Sequence, residues 1–291
     1  MSHPYHLPTL IHLIGLFAPF AVAMAQPSDV RILQPGTVAL DTLRQTSGPG
    51  WRHGQSRHFV VYLEEPVDAT SLKATTDSLE NAWVASVTLL GQVVPELPLV
   101  YVFVTRSRTR FAGLVSPEAK GLTTRLRGGD DVIILVRNDS VRSYTRHEVM
   151  HLVSFRAWGS PGESGAWLAE GLATFADGRC QSSTVQAVSR DLLAARPMLR
   201  LHDVVDNFVP MWRTDRAVAY VLAGSLVDYL WFSRGRDGVR LLWTKRDSLV
   251  DAGILPGAGG EQTAGWRRYV ARAAAGAPTL SPEAFRRAGC G

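Results

Sequence analysis

The sequence lacks several things, and each absence narrows the choice of function. After residue 25, no stretch approaches the ~18 consecutive apolar residues of a transmembrane helix, so the mature chain is expected to have no stable membrane span. No cysteine lies near that point, so a lipid anchor is not expected there. No internal repeat is visible, so a solenoid or propeller array is not expected. The basic residues outnumber the acidic ones by only 31 to 26, and no aromatic-interleaved or recognised nucleic-acid motif accompanies them. Nucleic acid is therefore not an expected partner. The densest basic cluster, Arg106, Arg108 and Arg110, reads as a solvated loop or a rim that attracts acidic peptide or envelope surfaces. Cysteine is scarce: Cys180 and Cys290 either pair, tying the C-terminus to the end of a central helix, or stand as free thiols.

What is present is ordinary globular material. Hydrophobic residues make up 46% of the 291 and charged residues 20%. The length suits one large domain, or two subdomains sharing a cleft. Leu10 to Ala25 is nearly all apolar and ends in the small-x-small run Ala23-Met24-Ala25. It reads as a signal peptide, although no Lys or Arg precedes it. An uncleaved anchor is the alternative, against which Pro19 and the modest length argue. Export to the periplasm or beyond follows.

Residues 26–56 are rich in Gly, Pro, Ser and Thr and read as a linker or lead-in. Phe59 to Leu63 is a β-rich run, and Asp68 to Leu90 carries Leu72, Leu79, Trp83, Val87 and Leu90 at helical spacing. Leu99 to Thr105 is a second strand. Gly121–Arg125 and Val132–Val136 flank Gly128-Gly129 and suit a hairpin. Beyond Asn138 the pattern is mainly helical. Helices are expected over about 143–158 with Ser143 as N-cap, 164–176 with Gly178 beyond its end, 215–232, and 265–274. The expected class is α+β, with a sheet-containing subdomain over 57–140, a mainly helical one over 141–291, and the chemistry between them.

That chemistry is carried by His147-Glu148-Val149-Met150-His151, an HExxH run. Positions i and i+4 share one helix face, so two imidazoles can converge on one ion. Glu148 sits beside the first of them, placed to reach a water rather than the metal. A catalytic zinc usually takes three protein ligands and keeps a fourth position open. Glu170, in Trp167-Leu168-Ala169-Glu170-Gly171-Leu172-Ala173, is the expected third. The Gly159-Ser160-Pro161-Gly162 break lets the second helix fold back on the first, and Gly171 would permit a close helix–helix approach.

These residues, with eighteen others between His151 and Glu170, resemble the gluzincin metallopeptidases, and most of all the compact peptidase-MA-like group with a WLxEGxA helix. The resemblance is specific over 143–178 and weak through 220–230. It implies a zincin-like fold, one zinc ion per chain and hydrolysis of peptide bonds. At the matching positions, His147, His151 and Glu170 are ligands and Glu148 is the general base. Tyr220 resembles a tyrosine that follows the glutamate helix in this group and is the candidate oxyanion donor, with a core aromatic as the alternative. Tyr229 is a weaker candidate. Asp177, seven residues after Glu170, either orients a ligand histidine or caps a helix end. Trp158, Trp167 and Trp212 carry no site expectation.

The wider group's aminopeptidases carry a GxMEN strand, which is absent here, so an endopeptidase is expected. Val132–Val136 is the expected edge strand for aligning a peptide or protein substrate. Two other functions fit the same ligands: a non-hydrolytic, zinc-stabilised binding or assembly module of the cell envelope, and a hydrolase of non-peptide amides or esters.

Overall fold

The computed structural model describes residues 40–47, 50–64, 66, 69–92, 98–107, 110–111, 120–126, 128–138, 144–180, 183–251 and 260–279. The expected signal segment, Arg108, Ser143 and Cys290 lie outside them. Runs rich in β-branched and apolar residues make the central strands. A short helix α1 (Leu40–Ser47) and strand β1 (Trp51–Gln55) come first, so the lead-in expected over 26–56 ends in regular structure. Then follow β2 (Phe59–Glu64), α2 (Ala69–Leu90), β3 (Val100–Thr105), β4 (Gly121–Arg125) and β5 (Asp131–Val136). They form one mixed sheet in the order β1-β2-β3-β5-β4. β2, β3 and β5 run parallel, while β1 and β4 pair antiparallel at its two edges. A parallel β2–β3 pair needs a crossover, and α2 supplies it.

The sheet is buried on both faces. Phe59, Val61, Leu63, Val100, Val102, Val104, Ile133 and Leu135 belong to the main core with α2. Trp51, Phe103, Leu122, Val132 and Ile134 form a second cluster with Leu40 and Leu43 of α1. Of the apolar stripe expected on α2, Leu79, Trp83 and Leu90 are buried, with Leu72 and Val87 packed at the margin. Gly91 ends the helix at φ 59°, a left-handed conformation that favours glycine.

The hairpin expected around Gly128-Gly129 is β4–β5, with Arg125 opposite Asp131. The expected edge strand requires correction. Val132–Val136 lies inside the sheet, between β3 and β4, because β4 returns along its outer side. Among the described residues the sheet's outer edges belong to β1 and β4, and of the two it is β4 that packs against α3.

The rest is mainly helical. α3 (Thr145–Trp158) is buried almost all round, since it packs on α2, β4 and a following helix α4 (Ala166–Asp177). A single 3-10 turn, Glu163–Gly165, leads into α4. The residue before α3 is Tyr144, which makes no side-chain cap. Gly159 and Gly162, at φ 77° and 76°, turn the chain between the two helices, as the Gly-Ser-Pro-Gly run implies. Gly178 closes α4 in the left-handed region, its N–H donating to the Thr174 carbonyl at 2.9 Å. A two-stranded ribbon, β6 (Arg179–Cys180) and β7 (Ser183–Thr184), leads to α5 (Val185–Ala195), whose N-terminus Thr184 caps through Oγ1. α6 (Leu201–Asp206), α7 (Phe208–Thr214), α8 (Arg216–Asp251, broken at Gly235) and α9 (Gly260–Ala273) complete the chain. The molecule is thus α+β. No helix among the described residues is long and apolar enough to cross a membrane.

The close approach expected at Gly171 is to α8 rather than to α3. A Cβ on Gly171 would lie 2.7 Å from both the Ala223 carbonyl oxygen and Val227 Cγ2. From the other side, a Cβ on Gly224 would lie 2.6 Å from Thr174 Cγ2. Each helix presents a glycine to its neighbour. Alanine gains about 1 kcal/mol in helix propensity, but overpacking against backbone costs about 1–3 kcal/mol. Gly171→Ala is therefore expected to lower the thermal midpoint. A midpoint equal to wild type would show that α4 and α8 can separate freely.

Candidate metal centre

Helical periodicity places His147 and His151 one turn apart on α3, and the tertiary fold brings Glu170 of α4 against both. The two imidazole rings stand 4.7 Å apart at 80°. His147 Nε2 and His151 Nε2 are separated by 3.1 Å. Glu170 Oε2 lies 3.1 Å from the first and 3.3 Å from the second. All three residues are buried, and each offers one donor atom to a shared point.

The donor set and its dimensions fit a small divalent ion. In a tetrahedral site with N and O bonds of roughly 2.0–2.1 Å, the edges between ligand atoms are roughly 3.3–3.4 Å. The observed triangle is within a few tenths of an ångström of one such face. The His151 Nδ1 atom is buried without a hydrogen-bond partner, so that ring's polar contacts lie on its Nε2 side, toward the triangle.

The electrostatics are those of tightly packed opposite charges. Burial alone would push Glu170 up, but the charges and hydrogen bonds of His151 and His147 override it and hold the carboxyl at about 2. Burial likewise works to lower His147, and the Glu170 hydrogen bond and charge, with smaller help from Glu148 and Asp177, raise it instead. Asp177 is buried in the last turn of α4, close enough to contribute to that field. A bound dication would take the place of such protons, because ligand imidazoles must be neutral.

Glu148 stands beside the triangle and outside it. Its Oε2 accepts from Thr123 Oγ1 at 2.8 Å, and the same hydroxyl lies 2.9 Å from the Glu148 carbonyl oxygen. Its Oε1 lies only 2.4 Å from where a Cβ on Gly121 would be. β4 thus seats the carboxylate, with a glycine that leaves room and a threonine that donates. Burial raises Glu148, and the neighbouring histidine charges and Thr123 only partly offset it. Gly121 and Thr123 carry no motif. The one sequence signal is a glycine opening a strand.

Tyr220, in the second turn of α8, is buried with its ring 5.8 Å from that of His147. Tyr229 lies further along α8 and packs its ring 5.8 Å from Tyr269, away from the triangle. Trp158, Trp167 and Trp212 are core residues. Arg110 of the basic cluster grips Glu64 through Nε and an Nη, at 3.1 and 2.6 Å.

No family model matches the chain, and no curated protein is significantly similar to it. The site therefore rests on its own geometry. Zn2+ in excess is expected to raise the thermal midpoint, with a stabilisation of about 2.7 kcal/mol at a hundred times Kd. Glu170→Gln and His151→Ala should abolish most of that rise. An equal rise in wild type and both variants would locate the ion elsewhere.

Proposed function

We propose that the chain is an exported zinc endopeptidase with a gluzincin-like site. The observation that carries this reading is the seat of Glu148. A site that only bound metal for stability would need the two histidines and Glu170. It would not need a buried carboxylate beside them, cleared by Gly121 and held by Thr123.

In this reading His147, His151 and Glu170 hold the ion, one per chain. When bound, zinc supplies a Lewis acid that polarises a carbonyl and lowers the pKa of water toward about 7. Glu148 accepts the proton of the attacking water at its carboxylate and then delivers it to the leaving amine. Tyr220, beside His147, donates its phenolic hydrogen to the oxyanion developing on the substrate.

The register of the hairpin says which backbone groups would hold a peptide. Leu126 N–H donates to the Asp130 carbonyl, and Val136 N–H to the Lys120 carbonyl. Even-numbered residues of β4 therefore bond to β5, and alternation turns the N–H and C=O groups of Gly121, Thr123 and Arg125 to the free edge. An extended substrate added there pairs with the same residues that frame Glu148. Cys180 is buried in a disulfide, which supports an oxidising compartment and hence export.

Metal content and cleavage of a quenched mixed-peptide library test the reading together. Glu148→Gln should keep one zinc and lose about 10²–10⁴-fold in kcat/KM. Tyr220→Phe should lose about 10²–10³-fold in kcat with little change in zinc. Zinc in both wild type and Glu148→Gln with cleavage in neither would favour the binding module or a hydrolase of other bonds.

A further inference from the structure

Beyond Thr123, across the β4–β5 hairpin, lies a second polar group that the proposed chemistry does not use. Asp131 opens β5, and its side chain is 1% exposed. It accepts from Arg125 Nε at 2.9 Å and from an Nη of Arg156. Two guanidiniums thus share one carboxylate. Neighbouring Asp130 forms no ion pair with either, so among the described residues the cluster holds two cations to one carboxylate.

The donors are also in surplus. Arg125 uses Nε alone, and its two terminal nitrogens have no protein partner among the described residues. Arg156 Nε is buried with no hydrogen-bond partner among the described residues. Its other terminal nitrogen bonds nothing among the described residues. Buried arginine donors are normally satisfied, because desolvation without a partner costs free energy. Burial and the charge of Arg125 depress the Arg156 pKa, as expected for two crowded, under-neutralised cations.

Their placement relates them to Glu148. Gly121, Thr123 and Arg125 alternate onto one face of β4, and Thr123 on that face touches Glu148. Arg156 follows Glu148 by two i+4 steps on α3 and meets the same strand pair. The arginines therefore sit roughly 7 Å along the edge strand from Thr123, a distance of two extended residues. Arg125 keeps 34% of its side-chain surface exposed and Arg156 18%, so the group is open to a ligand yet partly desolvated.

Resting on the peptidase reading, we propose that Arg125 and Arg156 form a carboxylate-binding subsite, which selects substrates bearing a carboxylate two or three residues from the scissile bond. Asp131 fixes both guanidiniums, and their unpaired terminal N–H groups receive the anion. The carboxylate comes from an Asp or Glu side chain or from the substrate's C-terminus.

The test pairs cleavage with binding. Zinc-loaded wild type is given quenched peptides in which Glu replaces Gln at each position flanking the scissile bond, each as a C-terminal acid and amide. The zinc-loaded Glu148→Gln protein is titrated with fluorescein-labelled copies and read by anisotropy. One position should favour Glu over Gln by about tenfold in kcat/KM and in Kd, less at high salt. In Arg125→Gln that ratio should fall toward one, and in Arg125→Lys it should be partly kept. This variant leaves the Arg156–Asp131 pair in place. A preference for acid over amide, rather than Glu over Gln, identifies the C-terminus as the source. Binding preference without cleavage of any peptide would overturn the peptidase reading and leave the subsite standing. Equal affinity for Glu and Gln and for acid and amide, no binding by any peptide, or a preference that survives Arg125→Gln overturns the subsite.

Discussion

Two imidazoles and a carboxylate held within 3.1–3.3 Å of one another in a buried site are the constraint on which the rest of this structure depends. Polar groups in such surroundings are unfavourable unless each is paired, and breaking the set by removing one member leaves the others uncompensated. The pairing requires α4 to lie against α3 at one height and one rotation. That geometry comes from elsewhere. The Gly159–Gly162 turn brings the chain back, and the glycine contacts between α4 and α8 fix how deeply Glu170 is set.

The same helix serves a second neighbour. α3 turns His147 and His151 toward α4 and turns Glu148 toward β4, so one helix of about four turns lies between a helical layer and a sheet edge. The edge strand then carries several roles in one run of residues. Gly121 clears the carboxylate and Thr123 holds it. Arg125, two residues on, meets Asp131, which Arg156 also grips. Placing these groups on alternate residues of a strand spaces them at the repeat of an extended peptide, which is the shape an added strand would present. The proposed endopeptidase activity and the proposed carboxylate subsite draw on this one correspondence.

Much of the fold was legible because its signals are local. β2, β3 and the β4–β5 hairpin follow from β-rich runs and a Gly-Gly turn, α2 from apolar spacing, and the ends of α3 and α4 from glycine stops. β1 was not legible. Trp-Arg-His-Gly-Gln has no apolar alternation, and it becomes a strand by pairing with β2. The edge position also went to the wrong strand of the hairpin. Val132–Val136 and Gly121–Arg125 are both adequate strands by composition, and only the pairing of β5 with β3 decides which is inside.

The amino-acid sequence by itself determined the i, i+4 histidines, the adjacent Glu148 and a glutamate on the next helix, because helical period and chain order are properties of the string. It also determined that α4 would need a close neighbour at Gly171, though not that the neighbour is α8. Only the tertiary structure decided that the three donors meet at one point, since nothing in an eighteen-residue interval between His151 and Glu170 sets the angle between two helices. Only it showed the seat of Glu148 and the arginine pair around Asp131. Those contacts join residues 25 apart in the chain, Thr123 to Glu148 and Asp131 to Arg156. Such pairs come from the register of a sheet against a helix, which the whole core sets and no local pattern records.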